Sequence, residues 1–322
     1  MSSQNKNPQT SAAKTALKTA PKTVNLPGQI SDVDLRLLRI FKAVVDNGGF
    51  SAAEVQLNIS RPAISLAISD LEKRLSLRLC QRGRSGFALT EEGEQIYHAI
   101  LQVLASLEGF KAQVNAIHNH LKGELNIGIT DNLVTLPHMR ITHALAELKK
   151  AGPGVRINIR MIPPNDIELG VLDSRLHIGV IPELRPLQGL NYFPLYEETS
   201  QLYCSRGHTL FSLNDTELTI PQIEKQDAVV PAFAPLADVK PLHRRLNAQA
   251  TATDREGIAF LILTGSYIGY LPTHFAERWV RDGQMRALLP DELHFGTQFF
   301  AVTRKAARPN LILEKYLEAL GV

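Results

Sequence analysis

The chain has 322 residues, enough for two domains with cores of their own, and the mix of an ordinary globular protein, 44% hydrophobic and 21% charged. The net charge of +3 decides little, but two cysteines without a CxxC pair exclude a disulfide framework and suit a reducing cytosol. No apolar run reaches about 18 residues, and the first thirty lack an export signal's apolar stretch, so a cytoplasmic chain with no membrane span is expected.

Residues 1–30 carry Lys6, Lys14, Lys18 and Lys22 and no acid, among Ser, Thr, Asn, Gln and Ala. Such a segment buries too little surface to order itself and reads as a disordered basic tail. Residues 34–47 read as a first helix, with Leu35, Leu38, Phe41 and Val45 on one side. A short helix to about Leu57 follows, with Ser51 as its expected N-cap, and then a tight turn at Asn58 and Ile59. The next helix, 60–75, reads SRPAISLAISDLEKRL, with Ser60 as N-cap and Pro62 in the first turn. Ile64, Ile68, Leu71 and Leu75 form an apolar stripe, while Arg61, Ser65 and Ser69 share another face. A packed stripe opposite a small, polar, N-terminally cationic face suits a helix lying in a DNA major groove.

Arg82, Gly83, Arg84, Ser85 and Gly86 are basic and Gly-rich, and Phe87–Leu89 alternates, so this segment reads as a small β-wing. Six cations fall within 61–84 against Asp70 and Glu72, which concentrates charge where DNA would lie. A long helix runs from Glu91 to about His120. Its Ile100, Val103, Leu107, Phe110, Val114 and Ile117 recur at three and four residues, the period of a coiled-coil seam. A helix packed on its own domain is the alternative; pairing with a second copy would let one short helix read two half-sites.

After Gly123 the pattern alternates strand and helix, predicting an α/β region with a largely parallel sheet. Strands are expected at 124–129, 155–162, 177–181, 190–196, 199–204, 228–230 and 297–303, with a turn and strand over 265–272. Helices are expected over most of 132–150 and at 165–176, 254–263 and 311–320. Ligands of open α/β sheets sit beyond the carboxyl ends of strands. That rule selects Thr130, Asp131 and Asn132, Pro163 and Asn165, Thr199 beside a predicted crossing with Ser200, and Pro231 and Phe233. Each also makes sense as a plain cap or turn residue.

Catalytic signatures are missing. There is no HExxH, P-loop, GxGxxG or GxSxG, and His118/His120 and His138/His143 are spaced wrongly for one helix face. No enzyme, cofactor or metal site is expected. Cys204, alone in a predicted strand, reads as a buried structural thiol rather than a redox switch.

Phe41, Gly48, Gly49, Phe50, Ser51, Ala52, Ala53, Leu57, Ser60, Pro62, Ala63, Ile64, Ser65, Ile68, Leu71, Glu72, Leu75, Leu79, Arg82, Arg84, Leu89, Thr90 and Gly93 resemble, over some fifty residues without a gap, the winged helix-turn-helix of LysR-type transcriptional regulators. Arg61, Ser76 and Cys80 depart from the usual Gln, Gly and Phe, and His177 from a common Asp. Leu125–Ile129, Leu202–Cys204 with His208, and Ile268–Pro272 resemble that family's effector domain. The resemblance implies a winged helix-turn-helix over 31–90, a dimerisation helix over 91–122 and an effector-binding domain over 123–322. The last resembles a periplasmic solute-binding protein: two α/β lobes, 124–197 plus 304–322 and 198–303, joined by crossing strands around a small ligand. It further implies a regulator acting as a homodimer or homotetramer on a two-fold operator in double-stranded DNA. Ser51, Ser60, Arg61, Pro62, Ser65 and Ser69 would approach the DNA, with Arg82 and Arg84 on phosphate or in the minor groove. A stand-alone solute-binding protein and an enzyme with an appended helix-turn-helix are the alternatives.

Overall fold

The structure is a computed structural model describing residues 30–83, 86–117, 121–232, 239–305 and 310–322; side chains at 82–86, 112, 113 and 115–117 lie outside the description. The chain forms two compact units, Met1–Tyr97 and His98–Val322.

In the first unit, α1 (Asp32–Asp46), α2 (Phe50–Leu57) and α3 (Arg61–Leu75) precede a hairpin of β1 (Cys80–Gly83) and β2 (Gly86–Leu89). Helix α1 starts at a capping box, Ser31 with Asp34, and Asp34 also pairs with Arg74 at 2.8 Å. Phe41, Val44, Ala53, Ile64, Ile68 and Leu71 are buried where these helices meet. Helix α2 does not start at Ser51 as expected. The helix begins at Phe50, its N-cap is Gly49 at φ 148°, and Ser51 lies exposed inside the first turn. Only glycine adopts that backbone without strain, which fixes the start two residues earlier than Ser51 would. Ser60 does hold the N-cap position of α3, but its hydroxyl makes no cap bond; Glu54 of α2 accepts the Arg61 N–H instead, at 3.1 Å. Glu72 accepts from the Leu79 and Cys80 N–H groups and so anchors the wing to α3. Helix α4 (Glu91–Ile117) starts at Thr90, whose hydroxyl receives the Gly93 N–H.

The second unit holds a seven-stranded sheet, in order β10, β6, β11, β5, β3, β4, with β9 also on β6. Its members are β3 (Lys122–Ile129), β4 (Gly154–Met161), β5 (Ile178–Pro182), β6 (Leu190–Ser205), β9 (Gly269–Pro272), β10 (Met285–Ala287) and β11 (His294–Arg304). Strands β3, β4 and β5 pair in parallel, but β6 and β11 pair antiparallel along eleven positions. The sheet is therefore mixed, not largely parallel. The predicted strands 190–196 and 199–204 are one sixteen-residue strand, because Glu197 and Glu198 continue the ladder to β11 instead of breaking it.

Strands β6 and β11 serve two lobes. The first packs α5 (Arg140–Ala151) and α11 (Leu311–Leu320) on one face around Leu125, Ile127, Leu148, Val180 and Tyr316, and α6 (Pro164–Leu172) on the other. Gly179 admits α6 closely: a Cβ there would lie 2.3 Å from Ile167. The second lobe adds α7 (Ile220–Glu224), a parallel pair β7 (Asp227–Pro231) and β8 (Asn247–Ala252), α8 (Lys240–Arg244), α9 (Arg255–Leu263) and α10 (Thr273–Arg281). Its cores centre on Leu202, Cys204 and Tyr270, and on Tyr203, Ile262 and Phe275. The helix expected over most of 132–150 is a single 3-10 turn, Leu133–Thr135, followed by α5. Pro137 lies between them, and Asn132 (φ 63°) and Met139 (φ 42°) are left-handed, so the backbone breaks helix on both sides.

Candidate functional site

Three features can carry function: the open face of α3, an apolar stripe of α4 and a polar network in the second unit. In the first unit, α3 buries Ile64, Ile68 and Leu71 and leaves Arg61, Pro62, Ala63 and Asp70 exposed, with Ser65 and Ser69 half-buried. Ser51 and Ser60 are exposed as well. Leu66 is 66% exposed and lies one turn beyond Pro62 on the helix, with Ser69 a turn further. Sequence reasoning missed it, although an apolar residue off the core stripe was the available signal. Arg61 is the first residue of α3, so its guanidinium stands at the helix entrance. The Arg82 side chain and all of Arg84 lie outside the described residues, although Arg82 pairs with Phe87 in the hairpin register.

Along α4, Ile100 is buried within its own chain, Leu107 is half-buried, and Val103, Phe110 and Val114 are 37%, 62% and 38% exposed. The Ile117 side chain lies outside the described residues. The exposed members recur at seven and four residues, so one stripe of this helix is apolar toward solvent.

In the second unit, the expected cleft residues separate. Asp131 leaves the end of β3 and crosses to the second lobe. Its carboxylate accepts the Arg255 backbone N–H at 2.6 Å, at the first residue of α9. The Arg255 guanidinium returns to the Asp131 backbone carbonyl at 2.9 Å and to Oδ1 at 3.2 Å, and through Nη2 reaches Glu198 Oε1 at 2.7 Å. Glu198 Oε2 meets His274 Nε2 at 2.9 Å, and His274 Nδ1 meets the Thr135 hydroxyl at 2.6 Å. Five residues from both lobes and the crossing strand thus form one network. Glu198 sits at its centre with 1% of its side chain exposed.

The N-terminus of α9 holds an anion, and that anion is Asp131. Asn132 turns back and donates to the Asp131 carboxylate at 2.8 Å. Thr199 is exposed, because strand alternation gives the buried face of β6 to Glu198 and Ser200. Pro163 and Asn165 are exposed at the start of α6, Pro231 is half-buried at the end of β7, and Phe233 lies outside the described residues. Thr130 is 5% exposed, and its hydroxyl finds no hydrogen-bond partner among the described residues; the same holds for the Tyr196 hydroxyl. Tyr196 stacks on Phe299 at 5.0 Å, and the Arg255 guanidinium lies 5.8 Å from that same ring. Burial, then the nearby Glu198 charge, pushes the Tyr196 phenol up, and Arg255 opposes them. Two open surface hollows lie elsewhere on the chain, and no residue of this network lines either.

Glu198, Arg255 and His274 were not found from the sequence. Arg255 stands 124 positions from Asp131 and 57 from Glu198, beyond any local spacing rule. The one local signal was the adjacent acids Glu197 and Glu198, since strand alternation must turn one of them inward. Cys204 is buried, which pushes its thiol up to about 12, well above the range of a reactive thiolate. No helix among the described residues is long and apolar enough to cross a membrane.

Residues 35–94 match the model of the bacterial regulatory helix-turn-helix protein, lysR family, and residues 118–321 that of the LysR substrate binding domain. The chain is 59% identical over 295 residues to the HTH-type transcriptional activator BauR of Pseudomonas aeruginosa, covering 92% of this chain and 97% of the relative. It is 31% identical over 189 residues to the SDS degradation transcriptional activation protein of a Pseudomonas species, covering 58% and 60%. Among solved structures it resembles CbnR, a LysR family transcriptional regulator, with TM-score 0.63, 16% identity, and 89% and 98% of the two chains covered. Full-length CbnR complexed with its target DNA gives a TM-score of 0.62 at 17% identity, with the same coverage.

Proposed function

Because this chain belongs to the LysR family of transcriptional regulators, DNA-binding proteins with an effector domain, we propose that it acts in the cytoplasm as a homodimer or homotetramer on a two-fold operator. The observation that carries this is α3: its apolar stripe is buried in its own unit, and its N-terminal face is left open with a guanidinium at the entrance. Arg61 is assigned to a base edge, Pro62, Leu66, Ser65 and Ser69 to the groove, Ser51 and Ser60 to the adjoining backbone, and the wing arginines Arg82 and Arg84 to phosphate. The exposed stripe Val103, Phe110 and Val114, with Leu107, is assigned to pairing with a second copy; Ile100 supports it from within the chain. An activator role follows the most similar relative named above, and the chain has no assigned catalytic step.

The second unit is assigned to a small-molecule effector held between the lobes, at the end of β3 beside Thr130 and Asp131 and under Glu198 and Arg255. Asn132 orients Asp131, while Pro163, Asn165 and Pro231 form the rim. The test is selection of bound genomic fragments with and without a metabolite extract. The expected result is a set of fragments sharing a two-fold motif whose retention changes with extract. Fragments without a common motif, or retention indifferent to every extract fraction, would overturn the reading.

A further inference from the structure

Arg255 closes the lobes on a centre that holds two carboxylates, Asp131 and Glu198, with His274 also facing Glu198. One guanidinium is shared between the Asp131 and Glu198 carboxylates, and the Glu198 side chain is almost wholly withdrawn from water. A further anion entering here would meet two carboxylates. A cation would meet two acceptor groups with lone pairs to spare. Two buried hydroxyls add an independent observation. Thr130 directly precedes Asp131, and Tyr196 lies two residues before Glu198 on the same face of β6, near enough to Glu198 and Arg255 to be influenced by both charges. Buried hydroxyls without a partner are costly, and a ligand's remaining polar atoms would satisfy them.

We propose that the effector presents a protonated amine to the Asp131–Glu198 pair and displaces Arg255, which holds the amine's place while the effector is absent. This rests on the reading that the effector binds between the lobes. It also supplies what a switch requires, unequal binding to two conformations. Arg255 ties α9 of the second lobe directly to Asp131 of the first, at both the backbone N–H and the guanidinium. An amine that takes over the carboxylates releases the guanidinium end of that tie, so occupancy and lobe geometry are coupled.

The test uses the full chain in a thermal-shift and calorimetric screen of short aliphatic amino acids, each paired with the same acid lacking the amine. Parent, Arg255→Gln, Asp131→Asn and Glu198→Gln are compared. The proposal expects only amine-bearing members to bind the parent. Arg255→Gln should bind them roughly tenfold tighter, because the internal competitor is gone, and Glu198→Gln should bind them more weakly. A second arm needs no effector: Arg255→Ala should be stabilised by methylammonium chloride beyond the effect of equal potassium chloride, and the parent should not. Loss of binding in Arg255→Gln would overturn the proposal, since Arg255 would then be gripping the ligand's carboxylate. No methylammonium-specific stabilisation of Arg255→Ala would overturn it too, whether or not any screened compound binds. Acids lacking the amine that bind, and whose action on operator binding vanishes in Asp131→Asn and Glu198→Gln, would overturn the amine but leave the cleft as the site. Ligands that act on operator binding and are indifferent to all three substitutions would overturn the cleft as well.

Discussion

The two units present their polar groups in opposite ways. Helix α3 turns Arg61 and Pro62 outward on a face whose stability is supplied from the other side, by Ile64, Ile68 and Leu71. The second unit turns its charges inward, where Asp131, Glu198, Arg255 and His274 already partner one another across the lobes. A surface group contributes little to stability, so its loss shows only in what it binds. A buried charge that loses its partner destabilises the fold as well. Function and stability should therefore be separable in the first unit and inseparable in the second.

The largest effect expected concerns the helix that follows the wing. Val114→Asp or Leu107→Asp would place a charge in the proposed seam, where it would lie buried without a partner. Light scattering should then report smaller species, and operator binding should fall with them. An unchanged assembly state would move the seam elsewhere. Next comes Glu198→Ala, which strips Arg255 and His274 of their central partner. Urea unfolding should show a loss of about 3–5 kcal/mol, the range for breaking a buried pair. A loss no larger than for a surface substitution would mean that the network is loosely held, and the contrast between the units would fail.

Gly93→Ala sharpens the contrast from the other side. An added Cβ there would lie 1.9 Å from the Leu79 carbonyl oxygen, so either the wing base or α4 must shift. A loss of about 1–3 kcal/mol is expected, showing that the first unit's stability lives in its packing and not in its reading face. The smallest expected effect is a pH slope. Burial holds His177 below its ordinary 6.5, and its Nδ1 accepts the Asn126 N–H at 2.9 Å. The folded form therefore binds fewer protons than the unfolded form at mildly acidic pH. Stability should be complete above the ordinary value and decline as pH falls through it. The urea midpoint between pH about 7.5 and about 5.5 should fall less in His177→Asn than in the parent. His208 and His243, also held low by burial, keep the slope from vanishing. Equal slopes in the two proteins would remove His177 from the account.

Legibility in the sequence follows the same division. The cues for α1, α3 and the wing are local: a cap, a proline in the first turn, an apolar recurrence at three and four residues, a Gly-rich reversal. The face of α3 could be read because its packing stripe and its open side are set by one helical period. The start of α2 escaped because Gly49 works through its backbone and not through a side-chain cap. In the second unit Thr130 and Asp131 were legible as the end of a strand, but the partners of Asp131 were not, since they arrive from a different lobe. Thr199 lies on β6 beside Glu198 yet faces away from the network, because strand parity turns Glu198 and Ser200 inward and Thr199 outward. The joining of two predicted strands into β6 was hidden because paired acids look like a break until the antiparallel partner β11 is known.

The central claim is that this chain reads DNA sequence through α3, and Arg61 tests it most directly. Binding of the parent and of Arg61→Ala should be measured on a selected operator and on a scrambled duplex, across a range of salt. A guanidinium gripping a guanine edge discriminates by about 1–3 kcal/mol, while phosphate contacts set the salt slope without reading sequence. The account predicts that Arg61→Ala weakens operator binding by that amount, leaves scrambled binding nearly unchanged, and unfolds at the same urea concentration as the parent. Equal weakening on both duplexes would contradict it.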